Sequence, residues 1–258
     1  MTRILAIFAI LFAFAAPSAM AKNDYSCDKK FIFFPGGPEG GPFGTIVYNG
    51  AVAAAEHTGC DVDYYWSQWN SEIMIKQFKE AVALQPDGIA IYGFPGDEAM
   101  RPIIKEARSM GIVITTMNTP LPDLEAEYKT EGFGYAGADL FDAGYNLGAK
   151  GVEVCGLSAG DKAFVWGLAS MPNRGERTKG AIKALEDLGV EVVYQEIPDN
   201  VNSDASQGTP MYVATYSANP DIKMAITDHG GLTASLPTYM KAAGHGTEEV
   251  CGAGFDLS

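Results

Sequence analysis

The chain has 258 residues, 47% of them apolar, and a formal net charge of −14. So acidic a chain repels nucleic acid and anionic lipid head groups, which argues against DNA or RNA as a partner. The apolar share is ample for a packed core, and the length suits one large domain or two lobes.

The first residues read as an export signal. Arg3 supplies a positive start, Ile4 to Ala16 form an apolar run of 13 residues, and Ala19-Met20-Ala21 has the small-x-small form of a cleavage site. The run is too short to anchor the chain in a bilayer, and no later stretch reaches the ~18 apolar residues of a membrane-spanning helix. Cleavage after Ala21 leaves 237 residues with a net charge of −15, because only Arg3 departs with the signal. The mature chain is expected to be soluble and exported.

Four cysteines remain: Cys27, Cys60, Cys155 and Cys251. An even count in an exported chain favours two disulfides, and four cysteines permit three pairings. Cys27 precedes the first strand and Cys60 the second. In a parallel sheet those points share one edge, so Cys27–Cys60 is the expected pair and Cys155–Cys251 follows by subtraction. No spacing is C-x-x-C, and His57, His229 and His245 lack H-E-x-x-H spacing, so no metal is expected.

From residue 30 the chain alternates β-rich runs with amphipathic stretches. Lys30–Phe34 reads as a strand, followed by a Gly/Pro loop and a helix from about Gly44 to Thr58. Asp61–Trp66 is a second strand. Asn70 or Ser71 caps a helix whose Met74, Phe78 and Ala81 share a face. Pro86-Asp87-Gly88 is a turn into the strand Ile89–Tyr92, a helix ends near Met110 at Gly111, and Ile112–Thr116 is a fourth strand. Asp123–Glu131 reads as an acidic loop.

The pattern then resets. Asp139 caps a helix to about Val154, and Ala163–Gly167 is a strand. Gly175–Leu188 is a helix, Val190–Glu196 a strand, Gln207–Ala218 a helix, Met224–Asp228 a strand, Thr233–Ala243 a helix and Val250–Phe255 a strand. Continuous apolar strands alternating with helices imply an α/β fold of parallel sheets covered on both faces. Two such runs, meeting near Gly132–Ala138, imply two lobes at residues 22–138 and 139–258. The chain stops at Ser258, shortly after a strand and without a covering helix, and is read as C-terminally truncated.

Ligands of open α/β sheets bind outside the carboxyl ends of the strands. Those ends carry Phe43, Tyr92, Phe94 and Asn118 in the first run, and Arg174, Asp228, His229, Phe255 and Asp256 in the second. Carboxylates and amides pair with hydroxyls, a guanidinium forks onto vicinal oxygens, and aromatic faces stack on the C–H side of a sugar ring. The set fits a neutral polyhydroxylated guest.

Gly41-Pro42-Phe43, Pro86-Asp87-Gly88-Ile89, Gly111-Ile112-Val113-Ile114, Ala136-Gly137-Ala138-Asp139, Asn219-Pro220-Asp221-Ile222 and Gly254-Phe255-Asp256 follow one another in an order and spacing that resembles the periplasmic ribose-binding family of sugar-binding proteins, fold type I. The resemblance implies two Rossmann-like lobes closing around a hinge on a sugar or polyol. It also implies a periplasmic monomer without cofactor or catalysis, delivering its ligand to the membrane permease of an ABC importer. By position, Phe43 and Phe255 would stack, Asn118 and Asp256 would bind hydroxyls, Arg174 would fork onto them, and His229 takes a place often held by Asn. Gly41, Gly44 and Gly93 stand where ribose binders carry Asn, Phe and Asn. Asn118-Thr119 replaces an Asp-Arg pair, and Arg174 needs a one-residue shift to align, with Arg177 the alternative. The ligand is therefore expected to differ from ribose, and the glycines to leave a roomier pocket. The resemblance further implies a segment beyond Gly-Phe-Asp that this sequence does not contain.

Two rival readings stand beside this one. A subunit presenting a sugar or autoinducer to a chemoreceptor or sensor kinase would share the fold. A secreted serine hydrolase would use Ser158 in Gly156-Leu157-Ser158-Ala159-Gly160, but that motif needs a strand before and a helix after it, the reverse of the expected order. Gly132–Gly137 matches G-x-G-x-x-G yet follows an acidic loop, and Gly36–Gly41 lacks the Gly-Lys-Ser/Thr of a phosphate loop. Trp66 and Trp69 are expected to pack at a sheet edge, with the cleft as the alternative.

Overall fold

The computed structural model describes residues 27–256, and the expected export signal lies outside them. The first half contains β1 (Lys30–Phe33), α1 (Pro42–Thr58), β2 (Asp61–Tyr64), α2 (Ser71–Ala83), β3 (Gly88–Tyr92), α3 (Asp97–Ser109), β4 (Val113–Met117), α4 (Pro122–Tyr128) and β5 (Gly134–Ala136). The second contains α5 (Leu140–Cys155), β6 (Lys162–Gly167), α6 (Glu176–Asp187), β7 (Glu191–Glu196), α7 (Asp199–Ser203), α8 (Thr209–Ala218), β8 (Ile222–Thr227), α9 (Gly230–Ala243) and β9 (Cys251–Gly254).

Each half builds one parallel sheet, in the order β2-β1-β3-β4-β5 and β7-β6-β8-β9. The strand sequence thus reverses beside β1 in one lobe and beside β6 in the other. At such a switch point the loops leaving adjacent strands diverge and open a crevice at the carboxyl edge. Both sheets therefore present their binding edge between corresponding strands.

Local chemistry explains several boundaries. The Asn70 side chain accepts a hydrogen bond from Ile73 N at 2.9 Å and starts α2; Asp139 accepts from Asp142 N at 2.9 Å and starts α5. The turn residue Asp87 accepts from Lys30 N and Lys29 Nζ, both at 2.9 Å, and ties the start of β3 to β1. Three elements depart from the sequence reading. The acidic segment is helix α4, with Pro122 in its first turn and Leu124 buried against the core. Residues 134–136 form β5, a full member of the first sheet beside β4. The short helix α7 precedes α8.

The disulfides are Cys27–Cys60, joining the starts of β1 and β2, and Cys155–Cys251, joining the end of α5 to β9. The first lobe has a single core cluster, running from Ile32 and Phe34 through Ile89 and Tyr92 to Phe133. The second lobe has two, one around Trp166 and Tyr239 and one around Val165 and Ile226. Behind the second sheet α5 and α6 are in backbone contact. A Cβ added to Gly144 would lie 1.9 Å from Arg177 O, and one at Gly180 would lie 2.1 Å from Phe141 O. Only glycine allows that approach, and it fixes the start of α6, where Arg177 sits.

Candidate functional site

The first lobe meets the cleft with rings. After β1 the chain passes through Gly36, at φ 94°, and Gly37. Opposite them Gln68 and Trp69 sit at φ 57° and 54°, a left-handed turn held by Gln68 N donating to Gly37 O at 3.3 Å and Trp69 N to Gly36 O at 3.1 Å. This turn lays the indole on the glycines, where a Cβ on Gly36 would come within 2.4 Å of the ring and one on Gly37 within 2.6 Å. Strained backbone of this kind persists where packing over-determines it and is common at ligand clamps. Trp69 is flanked by Phe43 at 6.0 Å and Phe94 at 6.3 Å between ring centroids, with Tyr92 edge-on behind it at 5.5 Å. The polar side chain on this wall is Asn118, just past β4 at φ 58°, a conformation Asn tolerates better than most residues. Tyr135, in β5, donates to Asn118 O at 3.0 Å.

The second lobe meets the cleft with charges. Arg174, in the loop between β6 and α6, forms an ion pair with Asp228 Oδ2 at 2.9 Å; Arg177 Nε donates to Asp228 Oδ1 at 3.1 Å. Both guanidiniums also donate to Asp228 O. Arg177 Nη1 lies 3.8 Å from Asp256 Oδ1, and its guanidinium rests 4.4 Å above the Phe255 ring. Burial, with Arg177 alongside, pulls the Arg174 pKa below its ordinary value, against the pull of Asp228. Two buried cations face two carboxylates, so the cluster carries no net charge.

His229 caps α9, its Nδ1 accepting from Leu232 N at 3.4 Å. That bond leaves the ring proton on Nε2. Burial pushes the His229 pKa down to about 4, against a smaller opposing pull from Asp228, so the ring is neutral. His229 Nε2 and Arg174 Nη1 are buried without a hydrogen-bond partner among the described residues. Both are donors, and a buried donor without an acceptor is costly unless a guest supplies one.

Between the walls lies a cavity of about 350 Å³. Phe43, Phe94, Asn118, Arg174, His229 and Asp256 line it, and Arg177 stands beside Arg174 in the lining. Tyr92, Asp228 and Phe255 stand behind its surface. Tyr92 is buried in the first core, Asp228 is the counter-ion of the two arginines, and Phe255 supports Arg177. Two groups lie outside the set read from the strand ends. Trp69 lines the cavity, the alternative given for it, while Trp66 packs on Tyr48 of α1 at 5.6 Å and follows the sheet-edge expectation. The end of α7 and the turn after it add Asn202, Ser203, Asp204 and Ser206. The glycine pair 36–37 was the available signal for Trp69; residues 202–206 had none, because their position depends on α7.

The lobes touch across the cleft. Asn173 Nδ2 donates to Asp97 Oδ2 at 2.8 Å and to Pro120 O at 3.1 Å, and the other Asp97 oxygen accepts from Leu124 N at 3.0 Å. Ser203 reaches Gln68 O at 3.5 Å, and a Cβ on Gly230 would meet Phe43 Cβ at 3.8 Å. This is a closed arrangement. Ser158 is exposed between helix α5 and strand β6, at the opposite edge of the sheet from the cavity. His245 packs on Tyr216 at 4.0 Å between ring centroids. Among the described residues no group of His, Cys, Asp and Glu could hold a metal ion, and no helix is long and apolar enough to cross a membrane.

Two parallel-sheet lobes closed over a cavity at their switch points define a cleft-type binding protein. The chain belongs to the periplasmic binding protein domain family, whose model matches residues 32–258, and its architecture is the type I fold expected from the sequence. No curated protein matches the chain. Among solved structures it is similar to GanP, a glucose-galactose binding protein from Geobacillus stearothermophilus (TM-score 0.74, 21% identity, 89% of this chain and 78% of that one). A carbohydrate transporter from Acidothermus cellulolyticus 11B, in complex with myo-inositol, is similar at TM-score 0.71 and 21% identity over 89% and 74% of the two chains. A periplasmic solute-binding protein of an ABC transporter from Actinobacillus succinogenes 130z, with bound D-allose, is similar at TM-score 0.72 and 20% identity over 87% and 76%.

Proposed function

We propose that the chain is the solute-capturing component of an ABC importer, and that it closes on one neutral sugar or polyol in the cavity between its lobes. The observation that carries this reading is the pairing of an aromatic wall with a charge-balanced polar wall that holds two unanswered donors, Arg174 Nη1 and His229 Nε2. Hydroxyl oxygens supply the acceptors, and C–H faces cover the rings. An anion gains nothing from arginines already neutralised by Asp228 and Asp256. Family membership, the glucose-galactose binding of GanP, and the myo-inositol and D-allose bound in two other similar structures support the substrate class and delivery to a membrane permease.

The protein performs no chemistry on its guest. Ligand affinity for the closed arrangement shifts the lobe equilibrium, and the closed form docks on the permease in the periplasm. A thermal-shift screen of the mature chain against pentoses, hexoses and alditols tests the class. A true ligand at 100 times its Kd raises stability by about 2.7 kcal/mol and is recovered unaltered. If amino acids or metal ions raise the Tm and no carbohydrate does, the reading fails.

A further inference from the structure

The two walls differ too much for a guest that is hydroxylated on every side. Phe43, Trp69 and Phe94 dominate the first-lobe wall, with Pro38 and Pro42 beside them, and Asn118 supplies its polar side chain. Gly37, Gly41 and Gly44 line the same wall and add no hydrogen-bonding side chain. Across the cavity stand Arg174, His229, Asn202, Ser206, Ser235 and Asp256. Sugar hydroxyls aimed at the rings would lose their water and receive nothing in exchange.

Stacking of a flat sugar face does not remove the mismatch. Phe43 and Phe94 are tilted by 45° and 43° to Trp69, so the three rings form a box and not a parallel plate. Phe255, the ring expected to close a sandwich from the other lobe, lies under Arg177, outside the cavity lining. A box open on one side encloses a compact apolar knob.

Resting on the sugar reading above, we propose that the ligand is a bipolar sugar. Its hydroxylated end meets Arg174, His229 and Asp256, and an apolar substituent (a deoxy methyl, an alkylthio group or the alkyl or aryl group of a glycoside) fills the box of Phe43, Trp69 and Phe94.

Calorimetric titration of the mature chain with matched pairs tests this: D-ribose against 5-methylthio-D-ribose, D-galactose against 6-deoxy-D-galactose, and D-glucose against its methyl and phenyl glycosides. The substituted member of at least one pair binds about tenfold tighter, the gain that burying two CH2-sized groups gives. Trp69→Ala removes that preference, lowering the affinity for the substituted sugar about tenfold more than that for its parent. Phe43→Ala, at a half-buried position on the first turn of α1, reduces the preference and serves if the tryptophan variant does not fold. Parent sugars that bind as tightly as their substituted partners in every pair overturn the proposal and leave the sugar reading intact. If no carbohydrate of either kind binds, both fall.

Discussion

The two lobes share a strand order yet bring unlike materials to the cleft. In the first, the binding wall continues the core: Tyr92 and Phe94 belong to the buried cluster, and Phe43 and Trp69 pack directly on it. In the second, the wall is a polar network in which one carboxylate, Asp228, holds two arginines. The difference teaches that an aromatic wall is stabilised by the same burial that folds its lobe, whereas a charged wall stands only while each partner remains.

The lobes can be tested against one another first through their disulfides. Cys155–Cys251 closes a separation of 96 residues and Cys27–Cys60 one of 33. On chain entropy alone, a Cys155→Ser/Cys251→Ser pair costs roughly 4–5 kcal/mol of stability and Cys27→Ser/Cys60→Ser roughly 3–4 kcal/mol. Urea denaturation of the two variants checks the order.

Next comes Asp228→Ala, which strands two buried guanidiniums and costs about 3–5 kcal/mol in the same assay. An Asp228→Ala protein as stable as the parent would refute the contrast between the walls.

A third effect depends on pH. Burial holds the folded His229 pKa near 4; Arg174 and Arg177 reinforce the shift and Asp228 opposes it. The unfolded chain, with an ordinary value of ~6.5, takes up a proton in this interval that the folded one refuses. Stability is therefore unaffected above pH 6.5 and falls as pH drops from 6.5 towards 4, by roughly 3 kcal/mol across the full interval. Chemical denaturation between pH 7 and 5 shows the onset, and His229→Asn flattens that slope.

The smallest effect sharpens the comparison at the place where the lobes meet. Asn173 and Arg174 are neighbours in one loop; the first bonds the opposite lobe and the second faces the cavity. Asn173→Ala removes the link to Asp97 and Pro120, so ligand dissociation accelerates about fivefold to tenfold, as loss of roughly one hydrogen bond implies. Stopped-flow release reads this directly, and an unchanged rate would show that the contact does not hold the lobes closed.

Much of the fold was legible because its signals are local. Asn70 and Asp139 cap the helices that their positions announce, and the continuous apolar strands specify parallel sheets. Segment 122–128 hid its helix because its acidic residues face solvent and only Leu124 signals the core. Strand β5, at three residues, is shorter than any periodicity can reveal, and it forms because β4 offers an open edge. Within the site, strand ends pointed to Phe43, Asn118, Arg174 and His229, but not to which groups stand in front. Arg177 lines the cavity and Asp228 stands behind it as counter-ion, and the start of α6 that carries Arg177 is fixed by its backbone contact with α5 at Gly144 and Gly180.

Local pattern alone carried the alternation of strands and helices and the set of strand ends that face the cavity, since hydrophobic period and caps are properties of neighbouring residues. Only the tertiary structure decided that Trp69 turns onto Gly36 and Gly37, that Phe255 serves Arg177 in place of the cavity, and that rings gather on one wall and charges on the other. Those outcomes depend on contacts between segments far apart in the chain, where packing selects one arrangement among many that the local pattern allows.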